Sequence, residues 1–136
     1  MITPIVEADH LKNLQILIVD DMLFMRLFFR GCLQLNFPSC TCEEVATGKA
    51  AINKMQNNSY NIVLCDWNLP DINGDEILKW VRTESEAKTV PFIMVTANDS
   101  KEGITKAISL GVTDYVVKPV NCELLTSKIR NALKPK

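Results

Sequence analysis

The sequence predicts an α/β domain built on a doubly wound, five-stranded parallel sheet in the order 2-1-3-4-5. Three observations lead there: short, uniformly apolar runs recur along the chain, segments with helical spacing separate them, and one further strand-like segment is polar enough for a sheet edge. The apolar runs are residues 16–19, 62–65, 92–95 and 115–117. Each is too short and too rich in β-branched residues for a helix. None alternates apolar with polar, so each suits a strand covered on both faces. The polar strand covers residues 41–46, where Glu43 and Glu44 fit an edge position.

The helical segments follow the strands one by one. Residues 23–35 come first, then 48–57. The clearest is 75–83, with Ile77, Leu78 and Val81 apolar and with Asp75 and Glu76 in the first turn, where the helix dipole favours negative charge. Residues 101–110 and 123–133 complete the set, the last preceded by Asn121 as a predicted N-cap. Five strand-helix units at this pitch, without repeats or low-complexity segments, place helices on both faces of one sheet.

Composition agrees with one domain. A chain of 136 residues that is 47% hydrophobic buries one sizeable core but is short for two. Residues 1–14 read as a disordered lead-in and 15–136 as the folded domain. Charged residues make up 23% of the chain and nearly cancel, to a net charge of −1. The nearest thing to a basic stripe is Lys128, Arg130, Lys134 and Lys136, which reads as a solvated helix face, so no nucleic acid is expected as a partner. Glu7, Asp9, His10 and Lys12 exclude a secretory apolar region near the start, and no apolar run is long enough for membrane insertion. A soluble, cytoplasmic protein is the expectation.

Cys32, Cys40, Cys42, Cys65 and Cys122 are odd in number and contain no C-x-x-C, so they read as reduced, small apolar residues. His10, the only histidine, precedes the first strand. A histidine-based zinc site or a Ser/His/Asp hydrolase is therefore hard to build. Any histidine phosphoryl donor must belong to another molecule.

In open parallel sheets, ligands bind beyond the C-terminal ends of the strands. Those ends carry Asp20 and Asp21 after the first strand, Asp66 after the third, Thr96 after the fourth and Lys118 after the fifth. In the predicted order these four strands are neighbours about 4.8 Å apart. Three carboxylates, a hydroxyl and an ammonium then share one rim, with a formal charge of −2. Carboxylates this close repel one another unless one takes a proton or a cation enters. Their hard oxygens suit magnesium (Mg2+), which keeps several waters and needs only one or two carboxylates besides phosphate oxygens. A metal, a lysine and a hydroxyl around one carboxylate are what phosphoryl transfer requires, and Asp66, in the centre, is the nucleophile. Aspartates often follow strands merely to start turns. That explains any one of these residues, but not all five together.

The segments Ile18-Val19-Asp20-Asp21, Asp66-Trp67-Asn68-Leu69-Pro70, Val95-Thr96-Ala97 and Tyr115-Val116-Val117-Lys118-Pro119 resemble the receiver domains of two-component response regulators, over about residues 14–133. The Asp66-Trp67-Asn68 triplet and the Tyr115 to Pro119 ending look closest to the stand-alone, CheY-like chemotaxis regulators. Their flavodoxin-like fold has the strand order adopted above, so topology and resemblance are not independent.

The resemblance implies that Asp66 is phosphorylated by a phosphohistidine of a histidine kinase or a histidine phosphotransfer protein. It implies that Asp21 and Asp66 ligate Mg2+ by side chain, Asn68 by its carbonyl, and Asp20 through water. Thr96 and Lys118 would bond the phosphoryl oxygens, with Lys118-Pro119 a cis peptide. Tyr115 matches the aromatic that turns inward when Thr96 is drawn to the phosphoryl group. Asn68 and Asn98 occupy positions that tune attack of water on the acyl phosphate, and two amides there imply a short-lived phosphoryl group. Such a protein is a signalling switch, catalysing only its own phosphoryl transfer and autodephosphorylation. Its output surface, the fourth helix, fifth strand and fifth helix, offers Ile104, Tyr115, Val117 and Lys128 to a separate protein target, with a flagellar switch protein expected.

The first helix departs from ordinary amphipathicity. Met25, Phe28, Phe29 and Cys32 can face the sheet, which leaves Leu23, Phe24 and Leu27 toward solvent beside Asp66. This patch is read as the dock for the phosphodonor's helical bundle.

Other readings fit less well. A magnesium-dependent aspartyl-phosphate phosphatase of the haloacid dehalogenase kind would carry D-x-D after the first strand, where this chain has adjacent Asp20 and Asp21. A flavin or dinucleotide binder of the same fold would need G-x-G-x-x-G, and paired acids would repel its phosphate. A receiver from a larger or non-chemotaxis regulator remains an open alternative.

Overall fold

The uniformly apolar runs become strands buried on both faces because consecutive side chains leave a strand in opposite directions. The computed structural model describes residues 6–135. Its elements are β1 (Gln15–Val19), α1 (Leu23–Asn36), β2 (Thr41–Val45), α2 (Gly48–Asn57), β3 (Ile62–Cys65), α3 (Gly74–Thr83), β4 (Phe92–Thr96), α4 (Lys101–Ser109), β5 (Asp114–Val117) and α5 (Cys122–Ala132). The strands form one parallel sheet in the order β2-β1-β3-β4-β5, as predicted. Element ends differ from the sequence expectation by one residue or so. Thr96, for example, is the last residue of β4 and not the first beyond it.

Alternation divides the core in two. Ile16, Ile18, Leu64, Ile93 and Val116 point to the face covered by α1 and α5, where they meet Phe29, Leu33, Leu125 and Ile129. Leu17, Val19, Val63, Cys65 and Met94 point to the other face, against Ala51, Ile77, Leu78, Val81 and Ala107 from α2, α3 and α4. Strand β2 lies at the edge. Its Glu44 pairs with Arg26 and Arg30 of α1 on one side, and its Glu43 with Lys54 of α2 on the other. Asn121 caps α5 by accepting the Leu124 N–H, as expected. Asp71 holds α2 in place of a local cap alone: its two carboxylate oxygens accept the N–H groups of Gly48 and Lys49, each at 2.8 Å. Hydrogen bonding, from the Lys49 N–H above all, keeps that carboxyl down at about 2.

Three expectations are corrected. Disorder before residue 15 does not hold for residues 7–14. Asp9–Leu11 form a 3-10 turn, Leu14 is buried in the α1/α5-side core, and the Glu7 carboxylate accepts both the N–H and the O–H of Ser39. Residues 1–5 of that expectation lie outside the described residues. The cysteines are not all free thiols, because Cys32 of α1 and Cys122 of α5 form a disulfide with Cα atoms 5.5 Å apart. Their 90-residue separation hides a proximity created only when the two helices pack on the same sheet face. The basic C-terminal stretch is partly engaged: Lys128 pairs with Asp114 at 3.2 Å, and the Arg130 guanidinium lies over the Phe37 ring at 5.1 Å. Lys136 lies outside the described residues.

Candidate functional site

Register brings the strand ends to one rim. Val19 lies opposite Cys65, Cys65 opposite Met94 and Thr96 opposite Val117, so β1 and β3 end together while β4 and β5 run two residues further. One carboxylate oxygen from each of Asp20, Asp21 and Asp66 lies within 4.8 Å of the others. The three are not equivalent. Asp20 is 1% exposed and Asp66 8%, whereas Asp21 faces solvent.

Lys118 spans the two buried carboxylates. Its Nζ donates to Asp20 Oδ2 at 2.7 Å and to Asp66 Oδ2 at 3.0 Å. Burial, the largest single influence on this ammonium, pulls its pKa down. The hydrogen bonds and charges of Asp20 and Asp66 outweigh burial, and the net shift is upward. The ammonium therefore stays charged at neutral pH. The Lys118–Pro119 peptide is cis, as the resemblance implied.

The remaining carboxylate oxygens are held more loosely or by backbone. Asp20 Oδ1 accepts the Met22 N–H at 2.9 Å, while Asp66 Oδ1 has only a long contact, 3.4 Å, from the Asn68 N–H. Thr96 is fully buried and its Oγ1 accepts the Asn98 N–H at 3.2 Å. The Tyr115 ring packs partly buried against the α3/α4-side core, and its hydroxyl donates to the Asn98 carbonyl at 2.6 Å. Burial, helped by the Asp66 and Asp99 charges, pushes that hydroxyl up and keeps it a donor.

Of the two amides, Asn68 is exposed beside Asp66. Asn98 is tied down: its Oδ1 accepts both the N–H and the O–H of Ser100, the N-cap of α4. It thus supports a helix start without being the cap itself. The first-helix patch is where the sequence put it, with Leu23 58%, Phe24 73% and Leu27 55% exposed, joined by Met22 at 55%. On the opposite side of the rim, Ile104 and Lys128 are half-buried, the latter in its pair with Asp114.

Two supporting residues were not anticipated. Gly74 opens α3 directly against the Asp66 carbonyl and the Trp67 backbone, leaving no room for a Cβ, and its N–H donates to the Trp67 carbonyl at 2.7 Å. The Asn73-Gly74 dipeptide was a legible turn signal. Arg26 of α1 donates from Nη1 to the Asp20 carbonyl at 2.9 Å while its Nε reaches Glu44. Nothing in its sequence spacing announces that role.

In sequence and fold the chain is similar to known proteins. Residues 16–130 match the family described as response regulator receiver domain. The chemotaxis protein CheY-3 of Vibrio cholerae is 36% identical over 124 residues, covering 90% of this chain and 94% of that one. The chemotaxis protein CheY of Pseudomonas aeruginosa is 34% identical over 117 residues, covering 85% and 93%. Among solved structures, CheY4 of Vibrio cholerae superposes with a TM-score of 0.81 at 30% identity, over 90% of this chain and 100% of that one. A CheY-like receiver domain protein from Methanospirillum hungatei gives 0.82 at 31% identity, over 90% and 94%.

Proposed function

The chain belongs to the response regulator receiver domain family, whose CheY-like members are signalling switches, and on that premise we propose that Asp66 is its phosphorylation site, served by Mg2+. The observation that carries this reading is the convergence of the Asp20, Asp21 and Asp66 carboxylates, two of which, Asp20 and Asp66, share the Lys118 ammonium.

The donor set fits the ion. Three carboxylates meet one bonded ammonium, and all the available donors are hard oxygens. Asp21 and Asp66 would hold Mg2+ by side chain with the Asn68 carbonyl, and Asp20 through water. When bound, the ion offsets negative charge on the phosphoryl oxygens. In transfer, an Asp66 oxygen forms a bond to phosphorus as the bond to the donor's imidazole nitrogen breaks, and the imidazole leaves with the electron pair. Lys118, already at Asp66, bonds a phosphoryl oxygen, and the Thr96 hydroxyl donates to another. Tyr115 is bonded to the carbonyl of Asn98, two residues past Thr96, so a shift of Thr96 is felt by the ring. Asn68 leaves a path for water in autodephosphorylation, while the Ser100 contacts give Asn98 a smaller part.

The test is incubation with acetyl phosphate, read by intact mass. One phosphoryl group should add in Mg2+, and excess chelator should suppress the addition by more than about tenfold, given the several kcal/mol such an ion contributes. Equal labelling with and without the metal would remove Mg2+ from the reading.

The donor is a histidine kinase or histidine phosphotransfer protein, and its helical bundle docks on Leu23, Phe24 and Leu27. The support is their joint exposure immediately after Asp20 and Asp21. Leu23→Ser with Leu27→Ser should slow transfer from the cognate kinase roughly tenfold or more, since each lost apolar contact is worth about 1 kcal/mol, and should leave acetyl phosphate labelling unchanged. Equal slowing of both reactions would refute the dock.

Output passes through Ile104, Tyr115 and Lys128 to a separate protein target. Chemotaxis, with a flagellar switch protein as that target, is supported by the similarity to chemotaxis proteins of Vibrio cholerae and Pseudomonas aeruginosa. Cytoplasmic location is part of the same reading. Among the described residues, no helix is long and apolar enough to cross a membrane.

A further inference from the structure

We propose that Cys32 and Cys122 are a reversible redox site, a dithiol that closes to the observed disulfide by exchange with a low-molecular-weight disulfide and so ties α5 to α1. The inference is independent of phosphoryl chemistry at Asp66. It rests on the placement of the two sulfurs. Cys122 is the first residue of α5, directly after the Asn121 cap, where unpaired N–H groups of the first turn favour negative charge on sulfur. Asn36 turns its amide toward the same sulfur: Nδ2 lies 3.8 Å from Cys122 Sγ and is anchored by donating to the Cys32 carbonyl at 2.9 Å. Cys122 is half-buried, while Cys32 is only 6% exposed.

These environments assign the roles. The Cys122 thiolate attacks one sulfur of the oxidant, glutathione disulfide being the representative of the class. The oxidant's S–S bond breaks, one glutathione thiolate leaves, and a mixed disulfide forms on Cys122. Cys32, giving up its proton to solvent, then attacks the Cys122 sulfur and expels the second glutathione. Two protein thiols are oxidised and one small disulfide is reduced to two thiols.

The other three cysteines are built differently. Cys65 is completely buried. Burial pushes Cys42 up to about 12 and raises Cys40. None of these three opens a helix, so none has the first-turn N–H groups that favour a thiolate at Cys122. Disulfides are rare in a reducing compartment, and those that occur there are usually transient and catalytic or redox-sensing, which suits a pair with one accessible sulfur.

Closure acts on a defined piece of chain. Cys122 is joined to Lys118 by residues 119–121 only, and α1 is the helix that follows Asp20 and Asp21. Oxidation therefore adds a covalent link between the helices that start behind the two sides of the acidic rim.

The experiment equilibrates the full chain, natively folded, in glutathione buffers from fully reduced to fully oxidised, then quenches, denatures and counts alkylated thiols by mass. Five thiols should label at the reducing end and three at the oxidising end, with the Cys32 and Cys122 peptides protected, whichever end the equilibration starts from. Five thiols at every ratio, three at every ratio, or a different protected pair would overturn the proposal. Single variants then test the roles on folded protein. C32S should trap glutathione on Cys122, whereas C122S should leave Cys32 unmodified. Trapping on Cys32 alone would reverse the assignment and defeat it.

Discussion

Asp66→Asn should reduce phosphoryl incorporation from acetyl phosphate to background while leaving the fold intact. An amide oxygen is too weak a nucleophile to attack phosphorus, and no second carboxylate replaces it. Asp20 is 1% exposed with one oxygen on Lys118 and the other on the Met22 N–H, and Asp21 faces solvent. The stability consequence has a sign of its own. Asp66 is one of three carboxylates whose oxygens lie within 4.8 Å of one another, and it shares the Lys118 ammonium with Asp20. Removing its charge relieves like-charge repulsion while Lys118 keeps Asp20 as a partner. In metal-free buffer the variant should therefore melt no lower than the parent. Incorporation at or near the parental level would show that Asp66 is not the acceptor, and a collapsed melting transition would show that its charge has a structural role.

Gly74→Ala should be the most damaging single-methyl change near the site. The added Cβ would press on the Asp66 carbonyl and the Trp67 Cα, which are backbone atoms and have no rotamer in which to retreat. Either α3 moves outward or the Asp66 loop moves inward. Overpacking of this kind costs about 3 kcal/mol, which for a domain of this size lowers the melting temperature by about 10 °C. The displaced segment carries Asp66, so phosphoryl uptake should fall as well, even at temperatures where the protein is folded. A thermal melt paired with uptake at low temperature separates the two effects. Parental values in both would mean that the backbone yields more easily than its contacts suggest. Ala at the exposed neighbour Asn73 is the control, and it should change both only slightly.

Much of this architecture could be read from one-dimensional pattern because its determinants are local. Ile62 to Cys65 is apolar throughout because both faces of β3 are covered, and the polar Glu43 and Glu44 mark β2 as the edge. Reading along the strand ends then located Asp20, Asp21, Asp66, Thr96 and Lys118, since parallel topology alone puts those ends on one rim. What the pattern missed depends on packing between distant segments. Cys32 and Cys122 meet only because α1 and α5 share a face. Ser39 gives Glu7 its partner from beyond α1, which turns an expected lead-in into a docked segment. Asp114 takes up Lys128, and Asn98 is diverted to Ser100, contacts that composition cannot distinguish from solvation. Arg26 is the hardest case, because an arginine one turn into a helix normally points to water, and here it holds the Asp20 carbonyl.

The fixed register of the strands bears on where this chain tolerates changes of length. One residue added within β3 would turn the side chain after it to the opposite face of the sheet, so the Asp66 carboxylate would be carried into packed hydrocarbon or past Asp20 and Asp21. The segment between α3 and β4, residues 84–91, lies at the other end of the strands and is largely exposed, and extra residues there leave every rim position where it was. Insertions and fusions that respect the chemistry therefore belong at the bottom of the sheet. The top behaves as a fixed ruler whose divisions are single residues.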